Sequence, residues 1–208
     1  MFAYQGVSWK SGGRIGCRFL LCSGCGILAG TESLVCEVEA VKNKALEHLR
    51  REDLLDLIEI YAKNWLAMDG VWFQSMEKAF GMEEAMLHDA HAWERFTVIE
   101  ARRIKTFLKL PEHPGLEGLR QALSLRFYAC LNQGEFLTEG NSLTYRVLSC
   151  MVQTARTRKG MALHPCKPVG EIEYGLFAKA IDGRLACECL SCYPEVRDAG
   201  CSLSLIHI

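Results

Sequence analysis

Five of the chain's eleven cysteines fall in one stretch, residues 148–192, which reads LSCMVQTARTRKGMALHPCKPVGEIEYGLFAKAIDGRLACECLSC. Cys189 and Cys192 form a Cys-x-x-Cys pair, a spacing that lets two thiolates hold one ion from a single turn. Cys150 and Cys166 are the candidates to complete a four-sulfur site, with Cys187, His164 or Cys201 as substitutes. Four thiolates, or three and an imidazole, suit zinc, and four thiolates also suit an iron–sulfur cluster. Zinc or an iron–sulfur cluster is therefore the expected cofactor. Plainly buried, inert thiols are the alternative.

The same residue types also fit nucleophilic catalysis. Cys166 or Cys189 would be nucleophile or metal ligand, His164 a general base, and Arg156 or Arg158 a clamp for a substrate carboxylate. Arg156, Arg158 and Lys159 together suit a small anionic molecule, and equally a solvated connecting loop. Near Gly12 and Gly24 the glycines follow no strand, so they make no phosphate or dinucleotide loop, and no Ser-His-Asp pattern stands out.

Positioning those residues calls for strands and a helix. EFLTE, Gly140-Asn141 and SLTYRVLSCMVQ read as a β-hairpin, with Leu148, Cys150 and Val152 alternating on one face. TARTRKGMALHPCKP reads as a loop in which Pro165 and Pro168 frame Cys166. VGEIEYGLFAKAI reads as a helix stopped at Asp182-Gly183, and RLACEC as a strand with Leu185, Cys187 and Cys189 on one face.

Upstream the pattern is helical. Leu54, Ile58, Tyr61, Trp65 and Met68 form one apolar stripe, after which Asp69-Gly70 is expected to break or bend the helix. A second helix from Met82 to about Lys109 places Trp93, Phe96, Ile104 and Phe107 on one face. Glu100 lies on that stripe, so it is either paired with a buried cation or poised with a raised pKa. His88, His91 and Glu94 share a side of this helix, a weak metal pattern better read as surface residues. Leu116, Leu119, Leu123, Phe127 and Cys130 mark another helix, with Cys130 as a small core residue.

The 208 residues, half apolar, 24% charged and with net charge −1, describe an ordinary globular chain. No global basic field draws it to nucleic acid, and no apolar run approaches the ~20 residues of a membrane span. Clustered cysteines favour a reducing, cytoplasmic setting. Residues 1–40, rich in Gly, Ser and Cys and including Cys22 and Cys25, are expected to be a non-native or disordered extension. Residues 41–201 are expected to be a single α+β domain, with helices over 42–131 and the cysteine-bearing unit over 135–201. The end, Leu203 to Ile208, matches the reading frame of a common transposase sequencing adapter, so a final strand beginning at Cys201 is expected to be lost.

LLDLIEIYAKNWLAMDGVWF, WERFTVIEARRIKTFLKLPE and VQTARTRKGMALHPCKPVGEIEY, with AIDGRLACECLSCYP, resemble an uncharacterised prokaryotic family of cytosolic proteins of unknown function, over Arg51 to Cys201. Where that family has Cys-x-x-Cys-Pro-Pro, this chain has Cys189, Cys192, Tyr193 and Pro194. More distantly, the order of elements resembles the L-2-amino-thiazoline-4-carboxylate hydrolase family, which implies a ring-opening hydrolase of C–N or C–S bonds. The reading as a whole is an α+β fold: a bundle of about four helices, then a small antiparallel sheet with one helix and a cysteine-bearing end. Its function is a cysteine-centred metal site, a small-molecule hydrolase of a cyclic amide or thioether, or a helical interaction module with structural thiols.

Overall fold

The computed structural model describes residues 43–194 and the backbone of 201–207. The expected extension 1–40, with its Cys22–Cys25 pair, lies outside the described residues. After a short 3-10 turn come α1 (Arg51–Phe80), α2 (Met82–Phe107) and α3 (Gly115–Leu123). A 3-10 turn at Phe127–Cys130 leads into β1 (Gln133–Glu139) and β2 (Ser142–Ser149). Then follow α4 (Met151–Arg158), α5 (Lys167–Ile181), β3 (Leu185–Ser191) and β4 (Cys201–His207). The expected α+β class is the one observed.

α1 opens on Asp53, whose carboxylate accepts from the Arg50 backbone N–H at 3.3 Å and from its guanidinium at 2.9 Å. The helix then runs through Asp69-Gly70 unbroken, which corrects the expected interruption. One helical glycine costs only about 1 kcal/mol, and the buried Ala62 and Phe73 on either side outweigh it. What ends α1 is Gly81 at φ 90°, a backbone geometry that favours glycine. It turns the chain directly into α2.

The α1 stripe packs only in part. Leu54 and Trp65 are half-buried, while Ile58 and Met68 are 53% and 68% exposed. On α2, Trp93 is buried but Phe107 is open to solvent. α3 ends at Leu123, short of the expected helix through Cys130. Cys130 is exposed, so it is not a core residue.

The sheet is antiparallel in the order β1-β2-β4-β3. β1 and β2 form the expected hairpin, turned at Gly140 with φ 55°. The final strand, expected to be lost beyond Cys201, is instead described as β4, and residues 203–207 supply most of its backbone. β4 sits between β2 and β3, with Leu203 opposite Tyr145 and Cys189, and Leu205 opposite Leu143 and Cys187. α5 packs between the sheet and α2, so Phe177, Ala178 and Ile181 are fully buried against Leu143, Leu185 and Ala101. Truncating a side chain such as Phe177 costs about 3–5 kcal/mol at sites of this kind.

Two local corrections bear on function. β2 stops at Ser149, so Cys150 is not in a strand; it caps α4, whose Met151 N–H donates to Asn132 Oδ1 at 2.9 Å. The segment expected to be a basic loop is therefore partly helix, with two helices following the hairpin instead of one.

Candidate functional site

The loop 161–166 between α4 and α5 presents the reactive groups. Gln153, buried on α4, grips it at three points. Its Oε1 accepts from the His164 backbone N–H at 3.0 Å, and its Nε2 donates to the His164 carbonyl at 2.7 Å. Nε2 also donates to Cys166 Sγ at 3.1 Å. A helix with few apolar residues thus keeps its place through polar contacts. Pro168 sits in the first turn of α5, where a missing N–H costs nothing.

Cys166 is the residue at which α5 starts. His164 Nδ1 lies 3.3 Å from Cys166 Sγ, and His164 Nε2 lies 3.3 Å from Asp89 Oδ2 on α2. Asp89 is only 6% exposed and His164 is buried, with its ring against Phe73 at 4.6 Å between centroids. In the tautomer that carries its proton on Nε2, Nδ1 faces the thiol as an acceptor, while the thiol itself donates to the His164 carbonyl at 3.2 Å. Transfer of the thiol proton gives an imidazolium flanked by sulfur and carboxylate. The positive end of α5 and the Gln153 N–H both favour the thiolate.

These groups line a cavity of about 400 Å³ bounded by α1, α2, α4 and α5. Its walls include Phe73, Trp93, Tyr128 and Tyr174, and also Asp69, Asp89 and Glu173. Asp69 makes no hydrogen bond among the described residues. Burial, then the neighbouring Asp89 carboxylate, pushes it up to about 6, and His164 opposes the shift.

Glu173 belongs to a buried ion group. Arg126, 2% exposed, donates from Nε to Glu100 Oε2 at 2.8 Å, and its Nη2 stands 2.7 Å from Glu173 Oε1. That second approach is an ion pair off the N–H axis, for Oε1 accepts no hydrogen bond. Burial pushes Glu173 up to about 7 against the pull of Arg126. Burial works against the charge on Arg126, but Glu173 and Glu100 more than offset it, and its pKa rises. Of the pair, Glu173 is the group that titrates. The cation expected for Glu100 is therefore Arg126, in the turn after α3.

The thiols divide into two kinds. Cys150, Cys166, Cys189 and Cys192 all line the cavity, brought there partly by the Lys167 N–H donating to the Tyr193 carbonyl at 3.2 Å. Yet no group of three or more His, Cys, Asp and Glu side chains among the described residues is arranged to hold a metal ion. Burial raises Cys150, and burial followed by the adjoining Cys189 pushes Cys187 to about 12. Cys150, Cys187 and Cys189 pack against the hydrophobic core, so they behave as small apolar residues. Cys166 differs in having an imidazole and an amide N–H at its sulfur. The side chain of Cys201 lies outside the described residues.

Arg156 lies on the cavity wall but its fork is engaged. Nη1 and Nη2 donate to Glu77 at 2.9 and 2.8 Å, and Nε to the Ala162 carbonyl. Arg158 is exposed and outside the cavity lining. His88 and His91 are exposed, 6.4 Å apart between ring centroids. Sequence reasoning missed Asp89, Asp69, Gln153 and Glu173. Asp89 stands 75 positions from His164, and only the packing of α2 beside the loop reveals its part.

The fold and site define an α+β protein with a thiol–imidazole–carboxylate relay on the wall of an aromatic cavity. The chain belongs to the family of unknown function DUF6125, whose model matches residues 47–202. No curated protein matches it significantly. None of its described helices is long and apolar enough to cross a membrane.

Proposed function

We propose that the protein is a cysteine hydrolase that opens the C–N bond of a small amide, cyclic amides included. The observation that carries this reading is the relay Cys166–His164–Asp89, two contacts of 3.3 Å, facing the cavity. Nucleophile, base and orienting group stand in the order that thiol catalysis requires. The distant resemblance to the thiazoline-carboxylate hydrolases points the same way.

In this mechanism the Sγ proton passes to His164 Nδ1, and Asp89 stabilises the imidazolium. The sulfur attacks the carbonyl carbon and the π pair moves to oxygen. Collapse expels the nitrogen, which takes the proton back from Nδ1, and leaves a thioester on Cys166. Water, deprotonated by His164, then cleaves the thioester, giving the acid and restoring the thiol. Lys63, Lys159 and Lys167 on the wall suit a substrate that also carries an anionic group. A reducing, cytosolic setting keeps such a thiol active.

Alkylation with iodoacetamide at near-neutral pH, followed site by site by mass spectrometry, tests the relay. Cys166 is expected to react about tenfold faster than Cys150, and Asp89→Asn to slow it. Cys166→Ala, folded by circular dichroism, should lose all turnover on a panel of small lactams. Equal reactivity of Cys166 and Cys150, or undiminished turnover in the alanine variant, refutes the reading.

A second reading makes Cys150, Cys166, Cys189 and Cys192, with His164, ligands of zinc or an iron–sulfur cluster. In its favour is their shared place on one cavity wall. Against it stand the lack of a convergent group among the described residues and the burial that raises Cys150. Zinc titration of the reduced protein decides between them, because tight stoichiometric binding that protects all four thiols from alkylation would favour the metal.

A further inference from the structure

α5 carries a glycine one turn beyond the candidate nucleophile. The Gly170 N–H donates to the Cys166 carbonyl at 2.8 Å, and both residues line the cavity. A helical side chain leans over the preceding turn, so one at position 170 would lie toward Cys166. A Cβ placed on Gly170 meets no heavy atom within 4 Å, which marks open space there. Gly70, inside α1, lines the same cavity, and a Cβ on it touches only Gln74 Nε2, at 3.7 Å. Neither glycine has a positive φ that would require it. Glycine weakens a helix interior relative to alanine. At both positions it is therefore the missing side chain that counts, and not the backbone.

The room left by these glycines is largely walled with carbon. Phe73, Trp93, Tyr128, Val169 and Tyr174 line it. Several charged groups on the wall are engaged by the protein itself. Glu173 stands 2.7 Å from Arg126, Asp89 3.3 Å from His164, and Arg156 2.8 Å from Glu77. Lys63 and Lys159 are exposed, which puts their charge toward solvent. An apolar cavity of about 150 Å³ is enough for one benzene ring, and this cavity measures about 400 Å³. It has room for a ring together with an amide, and burying the ring there supplies the binding energy.

We propose that Gly170 and Gly70 keep open an apolar slot beside Cys166. The slot takes an aromatic ring, or an equally broad apolar group, carried next to the scissile bond of the amide substrate. The amide rests on the hydrolase reading, which the slot deepens by naming the substrate class. The slot itself rests on the two glycines and the wall, and it requires binding only.

Isothermal calorimetry of phenylacetamide, acetamide and glycinamide against the full chain provides the test. Cys166→Ser serves as the host, so the result stands apart from catalysis. Phenylacetamide is expected to bind saturably in the millimolar range or below, at least about tenfold more tightly than acetamide or glycinamide. Gly170→Leu, which fills the slot, should weaken phenylacetamide by about tenfold or more, and Gly70→Leu should act in the same direction. Gly170→Ala should raise the denaturation midpoint, because the new methyl group meets nothing. Undiminished phenylacetamide binding in both leucine variants overturns the proposal, and so does a lower midpoint in Gly170→Ala. Glycinamide, whose ammonium group could pair with Asp69, also overturns it by binding as tightly as phenylacetamide. If neither leucine variant folds, the three probes on the host protein decide alone. Phenylacetamide binding with an unreactive Cys166 would sink the hydrolase reading only, and a reactive Cys166 without that binding would sink only the slot.

Discussion

Glu77 on α1 and Arg156 on α4 stand 79 positions apart and meet as a two-pronged ion pair, with N–O distances of 2.8 and 2.9 Å. Arg156 also covers the Phe73 ring, its guanidinium carbon 5.8 Å from the centroid. The hydrogen bond from Arg156 holds the Glu77 carboxyl below its ordinary range. This pair fastens α4, and with it the Gln153 grip on the loop 161–166, to the long helix. Glu77→Ala leaves a buried guanidinium without its counter-charge. The expected cost is about 2–4 kcal/mol in urea unfolding, and Glu77→Leu combined with Arg156→Met should lose less than that single change.

Asp69 gives a prediction in pH. Its carboxyl titrates near 6 in the folded chain against 3.8 for the ordinary group. Between those values the folded state holds a proton that the unfolded state has released, so stability falls as pH rises through that window. Asp69→Asn removes the penalty. Allowing for partial exposure, the variant should be more stable than the parent by about 1–2 kcal/mol at pH 7.5. Near pH 4 the two should be alike. Denaturation midpoints at the two pH values check this, and a gap that is constant with pH would show that the Asp69 charge is not the cause.

What was legible beforehand follows from how local each signal is. The α2 stripe through Trp93 and the Gly140-Asn141 turn are written in short-range spacing, and both elements formed where spacing placed them. The neighbours His164 and Cys166 were legible as a pair because only Pro165 separates them. α4 was not, since MVQTARTR has few apolar residues and is held by Gln153 and Arg156, whose partners lie outside it. The stripe Ile58, Tyr61 and Met68 looked like a packing face, but the buried positions of α1, Ala62 and Phe73, lie to one side of it. Cys150, Cys166, Cys189 and Cys192 were read as ligands of one ion, and the fold sets them along one cavity. Whether thiols share a cavity or share an ion depends on angstroms that spacing does not encode.

Asp182 ties α5 to α3 and β3. Its fully buried carboxylate accepts from the Gly115 N–H at 3.0 Å, the Arg184 N–H at 3.1 Å and the Arg184 guanidinium at 2.7 and 3.0 Å. Gly115 sits at φ 64°, which favours a residue without Cβ. The Arg184 hydrogen bonds, helped by the backbone donors, hold Asp182 far below the carboxylate range. The stability it contributes is therefore present above the unfolded carboxyl value, about 4, and is lost as pH falls toward the folded value. Asp182→Asn should cost about 2 kcal/mol at pH 7, shrinking in strong acid. Unfolding curves at pH 7 and pH 2.5 would show it, and an equal loss at both would assign the effect to shape alone.

The last prediction concerns the charge beneath the cavity floor. Arg126 lies among Trp93, Tyr128, Tyr174 and Phe177, its guanidinium carbon 4.7–5.9 Å from their ring centroids. It is the cation between Glu100 and Glu173. Arg126→Met fits the aromatic cage but leaves two buried carboxyls facing each other. The expected loss is about 3–5 kcal/mol at neutral pH, the usual size for removing one partner of a buried ion pair. Without the guanidinium, Glu173 should titrate above its present value near 7 and stay protonated. The loss should therefore grow as pH rises from 5 to 8, where protonation of the carboxyl is harder to keep. Adding Glu100→Gln and Glu173→Gln to Arg126→Met should flatten that pH slope. A slope that survives in the triple variant would mean that the penalty comes from packing around residue 126 and not from the stranded acids.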